Sequence, residues 1–106
     1  MAKYLVNASY TTEGIKGVIS RGGTARREAV EKMVADLGGQ VEAFYFAFGA
    51  DDAVVLIDLP DNVSAAAIGL AVAASGMAAT RTTVLITPEE MDRAARTSVN
   101  YLPPGG

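Results

Sequence analysis

Residues Ala53-Val54-Val55-Leu56-Ile57-Asp58-Leu59 form a nearly continuous apolar run. Gly49-Ala50-Asp51-Asp52 precedes it and Pro60-Asp61-Asn62 follows. A run of seven with β-branched residues, bounded by turn formers on both sides, reads as a strand in the middle of a sheet. The rest of the chain must supply neighbours for it. Lys3 to Tyr10 alternates and carries β-formers, so it is expected as the first strand. Gln40 to Phe48, rich in aromatics, is expected as the second, and Thr80 to Ile86 as the fourth. Between the first two lies helical sequence. Thr11 or Thr12 caps a first piece striped by Ile15, Val18 and Ile19, and Arg21-Gly22-Gly23 breaks it. Thr24 is expected to cap a second piece, Ala25 to Leu37, with Val30, Met33, Val34 and Leu37 on one face and Gly38-Gly39 as its stop. Asp61 caps an uncharged, Ala-rich helix over Val63 to Ser75, ended by Gly76. A helix apolar all round predicts cover on more than one side. Thr87-Pro88-Glu89-Glu90 opens a last helix running to about Thr97.

The order βαββαβ with an extra helix predicts an α+β, ferredoxin-like domain. Its four-stranded antiparallel sheet has helices on one face and leaves the other open. One domain over residues 1–98 and an extended tail over 99–106 account for the chain. Strand alternation divides the side chains. Tyr4, Val6, Ala8, Val55, Ile57, Leu59, Thr82, Val84 and Ile86 suit the helix side. Leu5, Asn7, Ser9, Val54, Leu56, Asp58, Arg81, Thr83 and Leu85 suit the open side. A mixed polar and apolar open face is what a homodimer contact enclosing a small-molecule pocket requires. The other possibility is that the polar groups sit near strand ends and are solvated.

Composition narrows the chemistry. The chain has no Cys and no His. Disulfides, thiolate nucleophiles, sulfur-ligated metals and the usual general base are excluded. None of the hydroxyls has an activating partner in sequence, and no cofactor or metal is called for. A formal charge of −3 without a basic block argues against nucleic acid and membrane-surface partners. The longest uncharged run, Val63 to Thr80, is too short and too rich in small polar residues to span a bilayer. A cytoplasmic location is the expectation.

Phe44-Tyr45-Phe46-Ala47-Phe48-Gly49-Ala50-Asp51-Asp52-Ala53-Val54-Val55 followed by Leu59-Pro60-Asp61 resembles the GYD domain family. There an aromatic strand leads into Gly-x-Tyr-Asp, an apolar strand and Pro-Asp. Tyr10-Thr11, Glu13-Gly14-Ile15-Lys16, Leu37-Gly38-Gly39 and Arg81-Thr82 extend the similarity over residues 3 to 92. Gly49 and Asp52 match the turn motif, but Asp51 stands where the family has Tyr. The resemblance implies the dimeric α/β-barrel form of the fold and no particular reaction.

The candidate sites follow. Asp51 and Asp52 read either as a paired-carboxylate site or as hairpin chemistry. Asp58 and Arg81 read as a ligand clamp or as a structural ion pair, with Asn7 between them and Thr83 beside them. Arg26 and Arg27 read as a solvated helix face. Phe44, Phe46 and Phe48 share one face as packing residues. Three functions remain open: a non-catalytic homo-oligomeric assembly or small-molecule-binding module; a cofactor-independent enzyme of monooxygenase or isomerase type; and a regulatory ligand-sensing domain acting with a partner.

Overall fold

The computed structural model describes residues 1–106. Four strands, β1 (Ala2–Tyr10), β2 (Gln40–Phe46), β3 (Ala53–Leu59) and β4 (Ala78–Leu85), form one antiparallel sheet in the order β2-β3-β1-β4. Helices α1 (Thr12–Arg21), α2 (Gly23–Asp36), α3 (Asn62–Ser75) and α4 (Pro88–Arg96) complete an α+β chain consistent with a ferredoxin-like fold. The apolar run is central, as its composition demands. Its residues alternate between buried and half-buried along the whole of β3.

The core cluster is Tyr4, Val6, Val55, Ile57 and Leu59 from the sheet, Val34 from α2, and Ala65 and Ile68 from α3, and Ala53 of β3 is buried as well. All the sheet members lie on the side assigned to the helices by alternation. Tyr4 keeps its phenol satisfied at the edge of this core by donating to Asn62 Oδ1 at 2.6 Å. Phe44 and Phe46 point the same way, their rings edge to face at 5.3 Å.

Local chemistry sets the helix ends. Thr11 Oγ1 accepts from the Gly14 amide at 3.2 Å, and Asp61 Oδ1 accepts from the Ser64 amide at 2.9 Å. Gly76, at φ 70°, closes α3 in the left-handed conformation. Thr87 and Glu90 form a reciprocal capping box on α4. The junction of α1 and α2 departs from expectation. Gly22, at φ 88°, turns the chain in one residue, so α2 starts at Gly23 and Thr24 lies inside it rather than capping it. Neither Ile15 nor Ile19 is buried, and α1 adds no residue to the core. Leu37 is the C-cap of α2 and is exposed rather than part of its packed face.

Three other boundaries move. β2 ends at Phe46, and Phe48 is fully exposed in the loop that follows. The Ala47 amide bonds the Asp52 carbonyl and the Asp52 amide bonds the Ala8 carbonyl, which closes that loop before the strand can continue. β4 begins at Ala78, because the Thr11 amide and hydroxyl hold the Met77 carbonyl and bring Ala78 opposite Tyr10. It ends at Leu85, leaving Ile86 in the connection.

The last helix stands apart from the body. Of α4 only Glu90 is partly covered, and every residue from Met91 to Gly106 is exposed. The radius of gyration is 16.9 Å and the long dimension 56 Å, against about 13 Å expected of a compact chain near this length. α3 is covered on one side only, leaving Val63 and Leu70 exposed. No helix is long and apolar enough to cross a membrane.

Candidate functional site

Register brings the open-face side chains into rows. Tyr45, Val54, Asn7 and Arg81 form one. Ala43, Leu56, Leu5 and Thr83 form the next, and Gln40, Asp58, Lys3 and Leu85 the third. A bulge between Val41 and Ala43 adds Glu42 to the last row's edge. The middle of this face is apolar and half-buried, and no helix lies over it. Its polar groups gather at the two ends.

At one end, Lys3 Nζ donates to Asp58 Oδ1 at 3.0 Å and also bonds Glu42, while Gln40 Nε2 donates to Asp58 Oδ2 at 3.2 Å. The Lys3 bond holds the Asp58 carboxyl below the usual carboxylate range, with desolvation opposing and Gln40 assisting. Lys3 is raised above the usual lysine value, chiefly by Glu42 and then by Asp58. At the other end, Asp51 accepts from Ser9 Oγ at 3.2 Å and pairs with Arg81. The Asp51 side chain is largely covered and Arg81 is mostly solvent-exposed.

Asp58 and Arg81 are therefore not a clamp. The two rows that hold them are four residues apart on β1, about 13 Å at roughly 3.3 Å per residue, and each has another partner. Asn7 lies directly across from Arg81, not between the two charges. Thr83 lies opposite Leu5, in the middle row.

Asp51 and Asp52 diverge. Asp52 Oδ2 accepts the Tyr10 amide at 2.8 Å, fastening the loop to the end of β1. Its side chain and both its backbone groups hold the hairpin. Gly49 lies in the exposed loop with nothing near the position of a side chain. Nowhere do three or more acidic side chains gather closely enough to hold a metal ion. The aspartate at the family's tyrosine position gives Arg81 a partner on the open face.

The largest cavity lies on the opposite side of the molecule. Its volume is about 560 Å³, and it opens between α1, α2 and the end of α3. A narrower crevice of about 60 Å³, between α2, α3 and the sheet, shares Arg26, Tyr10, Met33 and Val72 with it. None of Asn7, Asp58, Arg81 or Thr83 lines either space.

Sequence reasoning passed over Arg26 as a solvated residue. Its neighbour Arg27 does pair with Glu31, one helical turn on, at 3.8 Å. Arg26 has Gly22, Gly23, Ala29 and Val30 at the equivalent spacings and so has no helical partner. That asymmetry was the available signal.

The sequence profile described as GYD domain matches residues 4–95. No curated protein and no solved structure matches the chain significantly.

Proposed function

The chain belongs to the GYD domain family, and from that membership and its uncovered sheet face we propose that it is a non-catalytic module that assembles with a second copy of itself, sheet against sheet. The single observation that carries this is the middle of the open face. Leu5, Val54, Leu56 and Leu85 stand there on adjacent strands, with Tyr45 exposed beside them, and no layer of the same chain covers them. An apolar patch across four strands is a contact surface in waiting. Pairing two such faces gives the dimeric α/β-barrel arrangement. The polar ends then act as registration: Lys3–Asp58 at one edge, Asp51–Arg81 at the other. The outward side of α3 and the free arm of α4 offer further contacts for a larger assembly.

Absence of turnover is supported by how the polar groups are occupied. Asp58 is held by Lys3 and Gln40, Arg81 by Asp51, and Asp52 by a backbone amide. None is left to act as a base or to polarise a substrate. One observation favours the second reading, a small-molecule pocket between paired sheets. The Asn7 amide has no hydrogen-bond partner within the chain and stands on the face that pairing would enclose.

Sedimentation equilibrium at micromolar concentration tests the assembly. The wild-type chain should run as a dimer or a multiple of dimers. Leu56→Arg should shift it to monomer with an unchanged circular dichroism spectrum. A wild-type chain that stays monomeric at high micromolar concentration would sink the proposal.

A further inference from the structure

Arg26 Nε is buried, with no hydrogen-bond partner, and no carboxylate pairs with the guanidinium. A buried N–H of a charged group left without an acceptor is a costly arrangement. Here it stands at the neck between the outer cavity and the inner crevice, lining both. The outer walls are mainly apolar, with Val18, Met33, Val72 and Met77 among them, and Gly17 thins the α1 side. The inner crevice is bounded by Val6, Val55 and Ile68 of the core. Of the other polar side chains around the cavity, the Tyr10 hydroxyl has no hydrogen-bond partner, whereas Glu13 and Ser75 are engaged. Glu13 lies 3.7 Å from Lys16, and Ser75 Oγ donates to the Val72 carbonyl at 2.6 Å and accepts the Met77 amide at 3.1 Å. Arg21, at the rim, adds positive charge.

We propose that this helix-side cavity binds a small carboxylate with an apolar body, its two oxygens on the fork of Arg26 and its body along the apolar walls. The volume is that of a small-molecule site. The two Nη groups of the guanidinium, which are not sealed off as Nε is, present N–H bonds side by side that match the two oxygens of a carboxylate. A phosphate monoester would call for several converging donors, and beyond the two arginines the lining adds only the Tyr10 hydroxyl as a free donor. The site is independent of sheet pairing, because it lies on the other side of the sheet.

Sodium decanoate and decan-1-ol serve as probes, titrated calorimetrically into the full chain. Decanoate should bind at one per chain and raise the melting temperature, and decan-1-ol should bind at least tenfold more weakly. Arg26→Met should weaken decanoate at least tenfold and leave decan-1-ol unchanged. Without a probe, that variant should melt no lower than wild type, since it removes an unpartnered buried group. Arg26→Lys, which keeps the charge and loses the fork, should also weaken decanoate and covers the case of a poorly folding Met variant. Gly17→Leu builds a side chain into open space and should abolish binding of both probes. Equal affinities for decanoate and decan-1-ol would overturn the proposal, as would undiminished decanoate binding by Arg26→Met. Loss of binding on Leu56→Arg with retention in Gly17→Leu would move the ligand to the sheet face and overturn it as well.

Discussion

The same strands present two faces that differ in what finishes them. On the helix side of β1 and β3, Tyr4, Ile57 and Leu59 are sealed by Val34, Ala65 and Ile68 from α2 and α3. On the other side, Leu5, Leu56 and Val54 are as apolar but remain half-buried. The closed face is completed within the chain, whereas no element of the chain covers the open face. Hydrophobicity alone therefore does not decide which side chains stabilise the monomer. The layer opposite them does.

The largest expected effect sharpens that contrast with one pair of leucines, Leu56 and Leu59, three residues apart on β3 and facing opposite sides of the sheet. Leu59 is fully buried, so Leu59→Ala should cost about 2–5 kcal/mol, the usual range for a leucine deleted from a packed core. In a domain of this size that lowers the melting temperature by roughly 10 °C or more. Leu56→Ala should cost less than about 1 kcal/mol in dilute protein. On the proposed pairing its deficit should grow with concentration, since the variant would gain less from association than the wild-type chain. Thermal melts across a hundredfold concentration range distinguish the two. An equal, concentration-independent loss in both variants would mean that the open face is completed within the chain after all.

Adjacent aspartates repeat the contrast on a small scale, and they give the next effect in size. Asp52 serves the fold by accepting the Tyr10 amide, whereas Asp51 serves the open face through Arg81 and Ser9. Asp52→Ala leaves that amide without its acceptor and should cost about 1–2 kcal/mol, with Asp52→Asn recovering most of it. Asp51→Ala should be close to neutral in the monomer, since its partner Arg81 is solvated. Urea midpoints compare the three variants. A loss in Asp51→Ala as large as in Asp52→Ala would erase the distinction.

What was legible in the sequence follows the same line. The order of elements along the chain, the division of the faces and the caps at Thr11, Asp61 and Thr87 rest on local periodicity and turn chemistry, which a sequence displays directly. The helix junction was misread at Thr24 because Gly22 turns the chain by itself, leaving no extended residue for a side-chain cap. The spacing of Phe48 matches that of Phe44 and Phe46 and predicts it in the second strand. Hydrogen bonds from the Ala47 and Asp52 amides end the pairing first. The supposed link between Asp58 and Arg81 failed on register, a non-local property that alternation within single strands does not set. The burial of Arg26 Nε depends on residues outside α2, and within α2 only the lack of a helical partner points to it.

The smallest expected effect concerns the polar edge of the open face, and its sign follows from the shifted groups. The Lys3 bond depresses Asp58, so Asp58 contributes stability above its ordinary value of about 3.9; the contribution fades as pH falls through its folded value. Lys3 is raised, mainly by Glu42, so its contribution is full below 10.5 and fades as pH rises through its folded value. The gap between wild type and Lys3→Met should therefore be widest between these limits and narrow at both extremes, most plainly on acidification. Lys3 is partly solvated, so the gap should be smaller than that of Asp52→Ala and should shrink in high salt. Urea midpoints for the two proteins from pH 2.5 to 6, at low and high salt, read it out. A gap that stays constant to pH 2.5 would mean that the lysine acts through the packing of its methylene stem, with no contribution from its charge.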